Sequence, residues 1–257
     1  MSILESFSLK GQLALVTGSS SGIGLGLAAA LMQAGADVVV NGRNAQKLAE
    51  AAKVLSANSS SKVYVSAFDV TNSNDVLGAV ADIERTMGPL DILINNAGMQ
   101  IRNPLHEFAV SDWQTLMRTN LDSMFFVGQA VAKHMIARGK GKIINICSVQ
   151  SELGRPGIAP YMASKGAAKM LTKGMAIDWG PLGLQVNGLG PGYFKTELTE
   201  KLVADETFTA WLTGRTPSRR WGEVAELGPA AVFLASSASS FVNGHILYVD
   251  GGVTATL

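Results

Sequence analysis

A single cysteine, Cys147, rules out any disulfide within the chain. The three histidines, His106, His134 and His245, are scattered, and none pairs with another or with Cys147 at ligand spacing, so no metal centre is expected. Long apolar runs are missing: stretches such as residues 36–40, broken by Asp37, fall far short of the ~18 residues that span a bilayer. The first ten residues lack a basic segment followed by an apolar one, so no leader is read there and the chain is expected in the cytoplasm. Charge of one sign is scarce too. A net charge of +1 without a basic stripe or acidic tail argues against nucleic acid or an anionic membrane as principal partner. A small molecule is the expected ligand.

What the chain holds in quantity is glycine, 28 residues, and apolar residues, 47% of the total, enough to bury one large core over residues 1–257. Seven short runs rich in β-branched residues, at 13–17, 38–41, 63–67, 92–95, 143–146, 185–187 and 246–249, alternate with stretches of helical periodicity at 23–33, 46–55, 75–87, 111–137, 161–179 and 224–234. This rhythm predicts an α/β fold in a single Rossmann-type domain. Right-handed crossovers then give a seven-stranded parallel sheet flanked by helices on both faces, with ligands at the carboxyl ends of the strands. The Ser-rich stretch 58–61 reads as a surface turn, and no internal repeat is present. Residues 189–222 break the rhythm and are expected to form a substrate lid within the domain.

The turn after the first strand carries Gly18, Ser20, Ser21, Gly22, Ile23 and Gly24, which brings backbone amides close to a ligand where a helix begins. A pyrophosphate suits that place. Asp69-Val70 and Asn96-Ala97-Gly98 follow the third and fourth strands on the same edge. The second strand ends in Asn41-Gly42-Arg43. An acidic residue there would bind the ribose hydroxyl of NAD; its absence, with a cation two residues on, predicts NADP(H) in preference to NAD(H).

Tyr161 and Lys165 stand four residues apart in a helical stretch, so a phenol and an ammonium share one face. An adjacent cation stabilises a phenolate and draws the phenol toward the range useful for proton transfer. Taken with Asn120, Ser148, the three glycines and Pro191-Gly192, the pair makes the whole chain resemble the short-chain dehydrogenase/reductase family in its single-domain form. The stretches 142–148, 151–155, 216–222 and 241–245 further resemble an NADP-preferring bacterial branch that acts on sugar acids.

That resemblance implies an oxidoreductase acting on CH–OH groups, with Asn120, Ser148, Tyr161 and Lys165 as the catalytic set. Tyr161 would exchange a proton with the substrate oxygen, and Lys165 would lower its pKa and hold the nicotinamide ribose. Ser148 would hydrogen-bond the reacting oxygen, and Asn120 would hold a water linking Lys165 to solvent. Pro191 and Gly192 would complete the cofactor site. A sugar acid needs a cation for its carboxylate and donors for its hydroxyls. Arg102 is the first candidate for the cation, while Gln150, Glu152 and Arg155 follow Ser148 closely enough to serve as further contacts. The resemblance also implies a homotetramer, for which Leu116, Phe125, Phe126, Val127, Val131 and Met135 of the stretch 111–137 and Met170, Leu171, Met175 and Ile177 of the stretch 161–179 supply apolar surface, with residues 253–257 near another interface.

Three other readings stay open, one of them a reductase of another sugar or polyol carbonyl. A reductase of β-ketoacyl thioesters on an acidic carrier protein would use a basic entrance, for which Arg215, Arg219 and Arg220 are candidates. An NADP(H)-binding sensor would use the fold without catalysis.

Overall fold

The computed structural model describes residues 2–256. Strand β1 (Leu13–Val16) leads into helix α1 (Gly22–Gln33), followed by β2 (Asp37–Gly42), α2 (Ala45–Ser56), β3 (Val63–Ala67), α3 (Ser73–Thr86) and β4 (Leu90–Asn95). Then come α4 (Val110–Met117), α5 (Ser123–Arg138), β5 (Gly141–Ile146), α6 (Ala159–Trp179) and β6 (Leu184–Pro191). The remaining elements are β7 (Phe194–Lys195), α7 (Glu200–Val203), α8 (Glu206–Arg215), β8 (Gly222–Glu223), α9 (Gly228–Ala235) and β9 (Ile246–Val249). The main sheet has seven parallel strands in the order β3-β2-β1-β4-β5-β6-β9.

Alternation along the strands assigns each side chain to a face. Leu15, Val39, Leu93 and Ile143 point into the layer formed by α3, α5 and α6, where they meet Val80, Val131 and Met175. Val16, Val40, Ile94 and Ile144 point the other way, against Leu27 and Leu31 of α1 and Leu234 of α9. Burial of each such aliphatic side chain contributes about 1.5–3 kcal/mol, and both faces are covered, which is why the strands read as apolar runs. Side-chain caps start three helices: Asn44 accepts from Lys47 N, Asn72 from Asp75 N, and Asp205 from Phe208 N.

The order reverses between β1 and β4, so their connections leave in opposite directions and open a crevice at the carboxyl ends. Three elements differ from expectation. The stretch 111–137 is not one α-helix, because a π turn, Arg118–Asp122, separates α4 from α5. Residues 224–234 begin as a 3-10 turn, Val224–Leu227, before α9. A two-stranded ribbon, β7 beside β8, ties together the two ends of the long excursion after β6.

Candidate active site

The turn between β1 and α1 is shaped by contacts that leave no room for side chains. Gly18 and Gly22 adopt φ of 60° and 58°, a region costly for other residues. A Cβ on Gly24 would strike the Gly18 carbonyl and the Asn96 side chain, whereas one on Gly22 would project into open space. That space is a cavity of about 880 Å3 whose wall includes the turn, the start of α1, the ends of β2, β4 and β5, and the face of α6. All residues expected to touch the dinucleotide lie on it: Gly18 and Ser20 to Gly24, Asn41 with Arg43, Asp69 with Val70, Asn96 to Gly98, and Pro191 with Gly192. The glycine cradle at a helix N-terminus fits a dinucleotide diphosphate.

Some of these residues build the cradle and do so with their side chains. Asn96 Nδ2 donates to the carbonyls of Thr17 at 2.9 Å and Gly18 at 3.0 Å, while Thr17 Oγ1 accepts the amides of Asn96 and Ala97. Asn41 Nδ2 donates to Ser66 O and Phe68 O, and its Oδ1 accepts Gly18 N. The Asp69 carboxyl would be raised by burial, but hydrogen bonds from Thr71 N at 2.9 Å and Thr71 Oγ1 at 2.8 Å, with the fields of Arg43 and Arg118, hold it below the ordinary carboxylate value.

Ser148, Tyr161 and Lys165 converge on the same cavity. Ser148 follows β5 directly and caps a short 3-10 turn by accepting Gln150 N at 3.1 Å. Ser151 ties that turn to α6 by donating to the Lys165 carbonyl at 2.8 Å. Lys165 Nζ donates to Ile146 O at 2.6 Å and lies 5.8 Å from the centre of the Tyr161 ring. The expected lowering of the phenol is not seen here: burial holds it above the ordinary tyrosine value, opposed by a hydrogen bond with Ser148. Burial likewise pushes the Lys165 ammonium down, and its contact with Ile146 O leaves it beside the ring and not on the phenolic oxygen. Cys147, buried next to Ser148, has its thiol raised to about 11 by burial.

Asn120 is placed differently from expectation. It sits in the π turn and is fully buried, and the wall of the cavity does not include it. Its side chain takes Met99 N and donates to Met99 O and to Ser164 Oγ at 3.1 Å. Ser164 in turn donates to the Tyr161 carbonyl at 2.7 Å, which links Asn120 to the backbone of α6 at the tyrosine.

Of the substrate candidates, Arg102, Gln150 and Arg155 reach the cavity and Glu152 does not. The Glu152 carboxylate is held by Lys169 Nζ and by the Tyr248 hydroxyl at 2.8 Å, which fastens the loop after β5 to α6 and β9. Gln150 Nε2 donates to the Tyr193 hydroxyl at 3.1 Å, and the Arg155 guanidinium lies 4.9 Å over the Phe208 ring. Tyr193 was not singled out from the sequence, although it follows Pro191-Gly192 directly. Its ring packs against Phe208, Trp211 and Trp221, centroids 5.9, 6.5 and 6.0 Å away. Of the three cations proposed for a basic entrance, Arg220 is paired with Glu226 through both of its terminal nitrogens, while Arg219 Nη1 donates to Gly214 O at 2.6 Å and keeps its charge. Among the described residues no group of three or more His, Cys, Asp or Glu is placed to hold a metal, and no helix is long and apolar enough to cross a membrane.

A family model described as short chain dehydrogenase matches residues 12–207. Gluconate 5-dehydrogenase of Gluconobacter oxydans (strain 621H) is 63% identical over 257 residues, covering 100% of both chains. The 5-keto-D-gluconate 5-reductase of Escherichia coli (strain K12) is 51% identical over 247 residues, 96% of this chain and 97% of that protein. A gluconate 5-dehydrogenase from Burkholderia cenocepacia J2315, solved with NADP and tartrate, superposes with a TM-score of 0.97 at 55% identity, covering 100% of both chains. With the glycine cradle and the Ser148, Tyr161 and Lys165 cluster set on one cavity, the chain belongs to the short chain dehydrogenase family of oxidoreductases.

Proposed function

We propose that the protein interconverts D-gluconate and 5-keto-D-gluconate with NADP(H), using Tyr161 as general acid and base. The observation that carries this reading is one cavity whose wall includes the glycine cradle, the Ser148, Tyr161 and Lys165 cluster, and two arginines, Arg102 and Arg155. Ser148 and Tyr161 hold the reacting oxygen between two hydroxyl groups, and Tyr161 moves the proton. Lys165 sets the charge around the phenol, and Asn120 fixes the helix that carries it. The bound nicotinamide supplies or accepts the hydride.

Preference for NADP rests on Arg43 at the cavity wall, with Asn41 and Gly42 in place of an acid at the end of β2. Residues 189–222 serve as the lid, since they bring Tyr193, Phe194, Thr196, Glu197 and Leu202 onto the wall of the cavity and return through the β7–β8 ribbon. Exposed apolar side chains on α5 and α6, namely Phe125 at 41%, Met170 at 61% and Ile177 at 73% exposure, are the surface through which a homotetramer forms. A cytoplasmic site of action suits a chain with one buried free thiol.

The test is the rate of NADPH oxidation with 5-keto-D-gluconate, beside 2-keto-D-gluconate, fructose and an acetoacetyl thioester, each repeated with NADH. Rapid turnover of 5-keto-D-gluconate with NADPH supports the reading. Preference for the thioester would retain the proton-transfer machinery and overturn the substrate.

A further inference from the structure

Three buried side-chain atoms lack a hydrogen-bond partner among the described residues: Arg138 Nε, Gln150 Oε1 and Arg155 Nη1. Arg138 is otherwise committed to Glu84 and the Leu90 carbonyl. The other two belong to residues on the wall of the active-site cavity. Leaving a buried donor or acceptor unpaired is costly, so two such groups on residues that line one ligand space point to a ligand that satisfies them.

They are also joined to each other. The Tyr193 hydroxyl accepts from Gln150 Nε2 at 3.1 Å, and burial raises the phenol while the field of the nearby Arg155 guanidinium opposes the rise. Three aromatic rings hold Tyr193, and the Phe208 ring lies under the Arg155 guanidinium. Gln150, held on the Tyr193 hydroxyl, and Arg155, held over the Phe208 ring, are thus positioned before any ligand arrives. By contrast, Arg102 is exposed, and its guanidinium reaches only Gln100 Oε1 at 3.3 Å.

A cationic donor beside a neutral acceptor calls for an anionic oxygen beside a hydroxyl. A carboxylate with a hydroxyl on the adjoining carbon presents that pair over a short span. We propose that Arg155, Gln150 and Tyr193 form the recognition corner for the α-hydroxycarboxylate end of the substrate, with Arg155, not Arg102, as the carboxylate anchor. This rests on the sugar-acid reading above and adds a rule of selection to it. A neutral ketose offers Arg155 Nη1 a hydroxyl oxygen in place of an anionic one, and an acid with a ketone at carbon 2 leaves Gln150 Oε1 unpaired.

The experiment compares kcat/KM for 5-keto-D-gluconate and for L-sorbose, which in open-chain form carries a hydroxymethyl group in place of the carboxylate. Wild type, Arg155→Met, Arg155→Lys and Arg102→Met are measured with NADPH, and folding is checked by circular dichroism. Arg155→Met is expected to lose about 100-fold on the acid, the worth of a charge-assisted hydrogen bond, and less than about 3-fold on L-sorbose, which makes no such bond. Arg155→Lys recovers part of the loss on the acid. An unchanged acid-to-ketose ratio in Arg155→Met, or a ratio abolished by Arg102→Met, overturns the assignment.

Gln150→Leu is expected to lose about 10-fold on 5-keto-D-gluconate and nothing on 2,5-diketo-D-gluconate, whose carbon 2 offers no donor; equal losses on both overturn the role of Gln150. A wild type that reduces neither ketone refutes the reaction, a separate result from failure of the anchor. In that case calorimetric binding of D-gluconate to the NADPH complex decides the anchor. Weaker binding by Arg155→Met supports it, and equal binding or none at all overturns it.

Discussion

Asn120 and Met99 hold each other by two hydrogen bonds: Asn120 Oδ1 accepts Met99 N at 2.8 Å, and Asn120 Nδ2 donates to Met99 O at 2.9 Å. The same nitrogen reaches Ser164, one turn from Tyr161 on α6. Truncation would orphan both Met99 groups together. Asn120→Ala is expected to lower stability by about 2–4 kcal/mol, the cost of two unpaired buried groups, and to reduce kcat more than KM. Denaturant unfolding beside steady-state kinetics checks both; an unchanged midpoint would refute the structural part.

Removing the Tyr161 hydroxyl takes away the proton carrier but little volume. Tyr161→Phe should cut kcat by about 100-fold or more while NADPH affinity, read by fluorescence titration, stays within a factor of two to three of wild type, since the cradle is built elsewhere. A small effect on kcat would move the proton-transfer role to another group.

Arg43→Asp places a carboxylate where a 2′-phosphate is to be met. Its KM for NADPH is expected to rise about 10- to 100-fold, as loss of a charge-assisted contact implies, while its KM for NADH falls or holds. Equal changes for both cofactors would refute the assignment.

Glu152→Ala tests the corrected position of this carboxylate. Because its partners are Lys169 and Tyr248, the variant should lose about 0.5–1 kcal/mol of stability, typical of partly exposed pairs, and leave KM for 5-keto-D-gluconate unaltered. A raised KM with unchanged melting would return it to the substrate site.

Lys142 provides a pH signature away from the site. Burial lowers its ammonium from 10.5 to about 8, with Ser239 Oγ at 3.2 Å as its hydrogen-bond partner. Between those values the unfolded chain binds the proton more strongly than the folded one, so this residue makes stability rise with pH across that window. Lys142→Met should flatten the rise, seen as a narrowing difference between variant and wild type in thermal unfolding from pH 8 to 10. Parallel curves would contradict the assignment of the effect to Lys142.

The strands and the Tyr161–Lys165 pair were legible because their signals are local, whereas Ser148 was reached through the family resemblance. Parallel strands buried on both faces appear as short apolar runs, and Tyr161 with Lys165 share a helical period. What escaped depended on small phase changes or on packing between distant segments. A π turn differs from an α turn by one residue per hydrogen-bonded ring, too little to show in the apolar pattern around Asn120. Glu152 follows the 3-10 turn Val149–Ser151, whose three-residue period swings its carboxylate away from the cavity that Gln150 faces. Tyr193 lies in an irregular stretch, and its importance comes from rings at positions 208, 211 and 221, which only the fold brings near it.

That ring cluster gives the protein an internal optical gauge. Trp211 and Trp221 belong to the excursion after β6, and both lie edge-on to Tyr193, with interplanar angles of 86°. A displacement of α8 that separates Phe208 from Arg155 also changes the polarity around Trp211, already 47% exposed, and around Trp221, whose ring packs on Phe208 at 6.1 Å and whose Nε1 donates to Thr209 Oγ1 at 3.2 Å. Indole emission shifts with such changes, so any movement of this segment would be visible in the protein's own fluorescence, without a dye, and Trp113 and Trp179 outside the excursion serve as the steady background.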